Sequence, residues 1–152
     1  MPEPIRVQCC VVGGGPAGVM AAYLLARAGV EVLVLEKHGD FLRDFRGDTV
    51  HPSTLQAMAD VGLLDAFLKL PHTEVSALSA EVGGATVPLA DFSHLPTAAK
   101  FIAFMPQWDF LSFLAEQSRR LSGFRLLMNA KATDIVAADG RIVGVLAETP
   151  DG

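Results

Sequence analysis

One pattern restricts the fold of this chain more than any other: three glycines stand between an apolar run and a run that favours helix. The apolar run covers residues 5–12, the helix-favouring run covers residues 16–28, and a second apolar run covers residues 31–35. The glycines are Gly13, Gly15 and Gly18. Strand, glycine turn, helix and strand within about 30 residues predict a βαβ unit with a right-handed crossover. We therefore expect an α/β fold, Rossmann-like and built on a parallel sheet.

Each glycine in this pattern has a physical task in a dinucleotide-binding turn. Gly13 permits the tight turn, Gly15 lets a pyrophosphate approach the backbone, and Gly18 lets the helix lie close to the sheet. The start of the helix then offers unpaired N–H groups and a partial positive charge to the phosphates. Glu36 follows the second apolar run, where a carboxylate accepts hydrogen bonds from ribose hydroxyls and repels a 2′-phosphate. The pattern predicts a dinucleotide site but does not choose between FAD and NAD.

The rest of the chain predicts further helices and hairpins. Pro52 begins a helical pattern that ends near Gly62, and another helix is expected after Pro106. The run at residues 75–89 contains a Gly-Gly pair and predicts a hairpin. Asp139-Gly140 between apolar runs predicts a second hairpin within a β-meander over residues 125–146. Because the chain ends on a turn signature after this meander, we expect the fold to be incomplete at its C-terminus.

Longer segments resemble a known family. Residues 11–18, continuing through Ala22 and Gly29 to Glu36-Lys37, resemble the FAD fingerprint of enzymes related to glutathione reductase. Residues 45–55 and 105–111 narrow the resemblance to FAD-dependent monooxygenases of the aromatic-ring hydroxylase, p-hydroxybenzoate hydroxylase-like, family. The resemblance implies that FAD is the bound cofactor and that NAD(P)H is the co-substrate of the intact enzyme.

The resemblance also implies a set of cofactor-binding residues. An arginine at the position of Arg46 and a glutamine at the position of Gln107 contact FAD in the family, and the position of Ala132 touches adenine through its backbone. No catalytic residue is assigned, since a lone loop histidine such as His51 is typical of a structural or solvent-facing group. The complete predicted set is Gly13, Gly15, Pro16, Ala17, Gly18, Glu36, Lys37, Arg46, Gly47, Gln107 and Ala132.

The activity implied by the resemblance is hydroxylation of a small, aromatic substrate with NAD(P)H and O2. Two later motifs of the family are absent, an Asp-Gly segment that serves flavin and NAD(P)H and a Gly-Asp segment that holds the FAD ribityl and pyrophosphate; no Gly-Asp follows the last hairpin. We therefore expect residues 1–152 to be the N-terminal part of one FAD-binding domain, not catalytic alone. Residues 74–90 are a candidate for the first hairpin of a substrate-domain sheet. A second chain or a missing C-terminal half is the expected partner.

Three other interpretations stay open at this point. A different FAD-dependent oxidoreductase, of the halogenase or prenyl reductase type, would share this N-terminal half. A small NAD-binding module would explain the glycines but leave the segments around Arg46 and Gln107 unexplained. A remnant that binds nothing would show no flavin binding even after FAD is added.

Composition and charge exclude several classes of function. A net charge of −5 without a Lys/Arg cluster argues against nucleic acid as a partner. The longest apolar run, residues 9–35, contains the glycine turn, Arg27 and Glu31, so we predict no transmembrane helix. Cys9 and Cys10 lack partners at metal-binding or redox spacing, and the four histidines are scattered. We expect reduced cysteines, no metal site and a cytoplasmic protein.

Overall fold

The computed structural model describes residues 3–42 and 48–150. Four helices and ten strands are assigned within these ranges. In chain order they are β1 (Cys9–Val12), α1 (Pro16–Arg27), β2 (Val32–Leu35), β3 (Thr49–Val50), α2 (Pro52–Asp60), α3 (Leu64–Phe67), β4 (Thr73–Val75), β5 (Ala77–Val82), β6 (Ala85–Asp91), β7 (Ile102–Phe104), α4 (Gln107–Arg119), β8 (Phe124–Leu127), β9 (Lys131–Ala138) and β10 (Arg141–Glu148). The fold is mixed α/β, with parallel and antiparallel sheets.

The chain divides into two compact units. The first contains residues 1–43 and 111–152, and the second contains residues 44–110. The first unit therefore holds the predicted βαβ segment and the β-rich end of the sequence. The chain passes from the second unit to the first within α4.

A three-stranded parallel sheet in the order β1-β2-β8 forms the centre of the first unit. Strand β2 pairs with β1 on one side and with β8 on the other, so that Val32 lies opposite both Cys9 and Phe124. All four residues of β2 are buried. The uninterrupted apolar sequence of β2 is typical of a strand covered on both faces.

Each face of this sheet carries its own apolar cluster. On one face, side chains from α1 pack against alternate residues of the sheet; the buried members are Ala22, Ala26, Val32, Val34 and Phe124. On the other face, Leu33 and Leu35 pack with Ala130 and with partly buried residues at the base of the β9–β10 hairpin, including Ala132 and Val145. The central sheet thus lies between a helix and an antiparallel hairpin, as expected where side chains alternate between faces.

Helix α1 begins and ends where the sequence predicts. Pro16 occupies the first turn, and Gly29 follows the helix with φ at 86°. Such a left-handed residue after the last turn is a common helix terminator, and glycine adopts it without strain. Strand β1 is shorter than predicted, because the N–H groups of Gln8 and Cys9 both donate to the Glu31 carbonyl and regular pairing begins only there.

The β-rich end differs from the predicted meander. Strand β8 lies parallel to β2 in the central sheet, and only β9 and β10 form the antiparallel pair. A four-residue strand with three apolar residues fits either arrangement, so the sequence pattern alone did not separate them. The predicted turn between β9 and β10 is confirmed, with Asp139 at φ 51° and Gly140 at φ 73°.

The second unit combines two small sheets with two helices. Strands β3, β7 and β4 form an antiparallel sheet, and β5 with β6 forms the hairpin that the Gly-Gly pair predicted. Helices α2 and α3 supply buried Leu55, Met58 and Phe67, and the Phe67 ring meets that of Phe110 edge-on at 5.6 Å. The strands of the first of these sheets span only two or three residues, too short for a period-2 pattern to reveal. Across residues 3–42 and 48–150, no helix has the length and apolarity needed to cross a membrane.

Candidate functional site

The glycine turn joins β1 to α1 and leaves no room for a side chain at Gly18. Gly13 has φ at 109°, a conformation that a side chain would strain, and its N–H donates to the Leu35 carbonyl at 2.8 Å. A Cβ added to Gly18 would lie 2.0 Å from the Gly13 carbonyl oxygen. Gly18 is therefore required by the close approach of the helix to the turn.

Gly15 differs from Gly13 and Gly18 because it combines an ordinary backbone conformation with open space beside it. Its φ of −76° is ordinary for any residue, and a Cβ built on it meets no heavy atom within 4 Å in the described part of the chain. It is the N-cap of α1, where none of the described side chains donates or accepts a capping hydrogen bond. The first helical bond runs from the Val19 N–H to the Gly15 carbonyl at 2.9 Å, so the N–H groups of Ala17 and Gly18 precede the intrahelical ladder. This geometry suits an anion at the helix start.

Glu36 is held at the carboxyl end of β2, beside the glycine turn. The residue is only 4% exposed, and its Oε2 accepts a hydrogen bond of 2.8 Å from the Gly14 N–H. Its own N–H donates to Leu127, and its carbonyl accepts from Ala130, both at 2.8 Å. A Cβ on Gly14 would approach the Glu36 Cβ to 2.9 Å. The backbone and the side chain of Glu36 are thus both fixed against the turn.

His38 makes a second contact with this carboxylate that the sequence did not indicate. The Glu36 Oε1 atom accepts the His38 backbone N–H at 3.0 Å and lies 2.7 Å from the His38 ring Nδ1. The His38 side chain remains 45% exposed. No local signal indicated this contact, because side-chain turns over two residues are typical of Asp, Asn, Ser and Thr and not of Glu.

Lys37 and Ala132 also belong to the first unit. Lys37 is exposed directly after Glu36, and Ala132 is partly buried in β9, opposite Ala147 and against the cluster of Leu33 and Leu35. The first unit therefore brings together eight of the predicted residues on or beside β1, α1, β2 and β9. They are Gly13, Gly15, Pro16, Ala17, Gly18, Glu36, Lys37 and Ala132.

The remaining predicted residues do not belong to the described part of the first unit. Gln107 is the first residue of α4, in the second unit, and its Oε1 atom is buried without a hydrogen-bond partner among residues 3–42 and 48–150. Such an unpaired buried oxygen is costly unless something outside this set donates to it. Arg46 and Gly47 lie outside the described residues. His51 is exposed ahead of α2, where its carbonyl, not its ring, accepts the first helical hydrogen bonds.

Comparisons with known proteins identify the family of this chain. Residues 6–151 match a protein family described as "FAD binding domain". The chain is 30% identical over 141 residues to 6-methylpretetramide 4-monooxygenase of Streptomyces rimosus, covering 93% of this chain and 34% of that protein. It is 39% identical over 113 residues to a rifampicin monooxygenase of Streptomyces venezuelae, covering 73% of this chain and 22% of that protein.

A solved structure shows the same arrangement of elements. The p-nitrophenol 4-monooxygenase PnpA of Pseudomonas putida DLL-E4 superposes with a TM-score of 0.84 at 27% identity, over 99% of this chain and 38% of that one. The chain therefore spans between about a fifth and two fifths of the length of these three proteins. The family match decides between FAD and NAD, which the glycine pattern had left open. The chain belongs to the FAD binding domain family of flavin-dependent monooxygenases, and FAD is the cofactor of that family.

Proposed function

We propose that this chain holds the adenosine diphosphate half of FAD at the glycine turn, as part of an aromatic-ring monooxygenase. Bound FAD would supply the redox chemistry that hydroxylates a small aromatic substrate with NAD(P)H and O2. The relatives named above are monooxygenases, and the chain spans a minor part of their length. The chain is therefore proposed to bind cofactor and not to complete a catalytic cycle without further sequence, in the same chain or in a second one.

The position of the Glu36 carboxylate carries this proposal. The carboxylate lies at the end of β2, is almost fully buried, and already accepts a hydrogen bond from the turn at Gly14. A carboxylate fixed at this place, beside a turn suited to phosphate, favours a ligand whose hydroxyl groups donate to it. The ribose of FAD offers two such hydroxyls. A 2′-phosphate at this place would meet a negative charge and is disfavoured.

The pyrophosphate is assigned to the start of α1. Gly15 leaves space where a Cβ would stand, and Pro16 removes one N–H that would otherwise lack an intrahelical partner. The N–H groups of Ala17 and Gly18 and the positive end of the helix would then face the phosphates. Gly13 would shape the turn through its left-handed backbone conformation. The proposed arrangement is Rossmann-like and gives a role to each of these five residues of the turn and helix start.

The other predicted contacts complete the proposed site. Ala132 would contact adenine, and Lys37 would add positive charge beside the ribose-binding carboxylate. Gln107 would use its unpaired buried oxygen to accept a hydrogen bond from FAD. Arg46 and Gly47 are proposed to contact the cofactor because of the family resemblance.

Residues 1–152 would form part of one FAD-binding domain, and residues 74–90 would contribute to a substrate-domain sheet. The whole enzyme is proposed to be cytoplasmic.

An FAD titration of the purified chain tests this proposal, with flavin fluorescence as the measurement. Gly15→Ala fills space that no described atom occupies, so the variant should fold, yet its affinity for FAD should fall at least about tenfold because the methyl group meets the pyrophosphate. Gly144→Ala is the matched control. A Cβ at Gly144 makes only ordinary contacts with Val136, at 3.7 Å, in a strand remote in sequence from the turn.

Two outcomes contradict the proposal. If the native chain binds NAD and not FAD, a nicotinamide-binding module replaces the flavoprotein part. If Gly15→Ala and Gly144→Ala bind FAD equally well, the cofactor does not use the glycine turn.

A further inference from the structure

The contact between His38 and Glu36 is not explained by the glycine pattern or by the family comparison. We infer that His38 is a positioning residue, which fixes the Glu36 carboxylate in the orientation that receives the ribose hydroxyls of FAD. The inference rests on the proposed function, because it assigns a task to His38 within the same adenosine site. It concerns the affinity and the selectivity for the ribose, not the redox chemistry.

The two carboxylate oxygens are held from two different segments. Oε2 accepts the N–H of Gly14 from the glycine turn, whereas Oε1 accepts the N–H of His38 and lies 2.7 Å from its ring nitrogen. Donors on both oxygens fix the plane of the carboxylate, which a single hydrogen bond would leave free to rotate. A glutamate side chain has several rotatable bonds, and ordering it upon binding would cost affinity. Contacts made before the ligand arrives remove that cost.

The chemistry of the contact specifies which ring nitrogen carries the proton. An ionised carboxylate only accepts hydrogen bonds, so a 2.7 Å contact requires a hydrogen on the His38 Nδ1 atom. The ring therefore holds the Nδ1–H tautomer or both protons. The opposite neutral tautomer would place two acceptors against each other and break the contact.

The segment that carries His38 is itself anchored. The His38 carbonyl accepts a hydrogen bond of 2.9 Å from the N–H of Asn129, which lies in a left-handed conformation at φ 55°. A Cβ on Gly39 would lie 2.9 Å from the Asn129 Oδ1 atom, so the two segments pack closely. The ring of His38 thus projects from a backbone tied to the connection between β8 and β9. A tethered donor of this kind orients its partner better than a mobile surface side chain would.

A matched pair of amide substitutions tests the inference. In His38→Asn the side-chain nitrogen is bonded to Cγ, as the histidine Nδ1 is, and can occupy the same position. In His38→Gln the side-chain nitrogen lies one carbon further from the backbone. Isothermal titration with ADP should give an affinity for His38→Asn within about twofold of native, and an affinity about three- to tenfold weaker for His38→Gln. His94→Gln is the control, because His94 lies in the second unit with an exposed side chain.

A second nucleotide separates positioning from a general structural effect. The same titrations are repeated with 2′,3′-dideoxy-ADP, which lacks both ribose hydroxyls. If His38 acts through Glu36 on the ribose, His38→Gln and the native chain should bind this analogue within about twofold of each other. A loosened loop would instead weaken the binding of both nucleotides equally, and that result would overturn the inference.

The remaining outcomes distinguish this inference from the proposed function. Native chain that binds neither ADP nor FAD overturns the proposed function, and this inference with it. Native chain that binds ADP while His38→Gln binds it equally well overturns the role of His38 alone. Should His38→Gln fail to fold, the ring-nitrogen chemical shifts of the native chain still decide: a proton on Nδ1 supports the inference, and a neutral ring protonated only at Nε2 contradicts it.

Discussion

The glycine turn and the β9–β10 hairpin belong to the same unit but tolerate change very differently. In the turn, there is no room for a Cβ at Gly18. The backbone groups of Gly13 and Glu36 are hydrogen-bonded to neighbouring segments. In the hairpin, the outer residues project from a two-stranded ribbon; Ile135, Ile142, Val143 and Leu146 are all more than half exposed. Stability and ligand geometry are therefore expected to depend on the first region and not on the second.

The largest difference should appear at the glycines of the turn. Gly18→Ala places a methyl group 2.0 Å from a carbonyl oxygen of the backbone, which no side-chain rotation relieves. We expect it to destabilise the chain by about 3 kcal/mol or more, because the helix has to move away from the sheet. Chemical denaturation followed by circular dichroism measures the change.

Gly15→Ala is the control for that experiment, since the identical substitution three residues earlier meets no described atom. Its free energy of unfolding should stay within about 1 kcal/mol of native. Equal destabilisation by the two substitutions would contradict the packing described for α1 and the turn.

A smaller difference in stability is expected between a valine of the central sheet and a valine of the hairpin when each is replaced by alanine. Val34→Ala removes buried methyl groups from the centre of β2 and should cost about 2 kcal/mol, from lost burial and the cavity left behind. Val143→Ala makes the same change at a residue that is 61% exposed, and should change stability by less than about 0.5 kcal/mol. Comparable losses in thermal denaturation would show that the hairpin is covered by something in solution.

The smallest expected difference concerns thiol reactivity. Burial raises the pKa of the Cys10 thiol, and the neighbouring Cys9 adds to this, so less of the reactive thiolate is present at a given pH. In Cys9→Ser, where burial remains, alkylation of Cys10 at about pH 8 should be several-fold slower than in the unfolded chain. The rate should climb further as pH rises, because the thiol loses its proton only at higher pH than a free cysteine.

A cysteine introduced into the hairpin supplies the control for that measurement. Val143→Cys in a chain without Cys9 and Cys10 should react at nearly the same rate folded and unfolded. If folding slowed the alkylation of this thiol as much as that of Cys10, the proposed difference in burial between the central sheet and the hairpin would be contradicted.

Sequence reasoning reached much of the first unit because local signals agreed with one another. The glycine spacing, Pro16 and Gly29 bounded α1 correctly, and the apolar run before Glu36 marked the position of a strand. The Asp139-Gly140 pair fixed the hairpin turn, because few residues adopt two successive left-handed conformations.

Features that depend on contacts between residues distant in the sequence could not be predicted from local patterns. The parallel pairing of β8 with β2 joins residues about 90 positions apart, and nothing in the local pattern of residues 124–127 distinguishes it from a meander strand. The short strands β3, β4 and β7 owe their conformation to pairing and not to period-2 alternation. In the site, the position of Glu36 was predictable, but its bonds to Gly14 and His38 were not, since they depend on how closely the turn approaches the strand end.

The most direct test of the account is a map of backbone amide chemical shifts upon addition of ADP to the native chain. We expect the shifts to concentrate at Gly14, Gly15 and Ala17 in the turn and at Glu36 and His38 after β2, with the outer part of the β9–β10 hairpin unchanged. Saturable shifts at those residues would support the glycine turn and Glu36 as the adenosine diphosphate site. Shifts confined to other parts of the chain, or none at a saturating concentration of ADP, would contradict it.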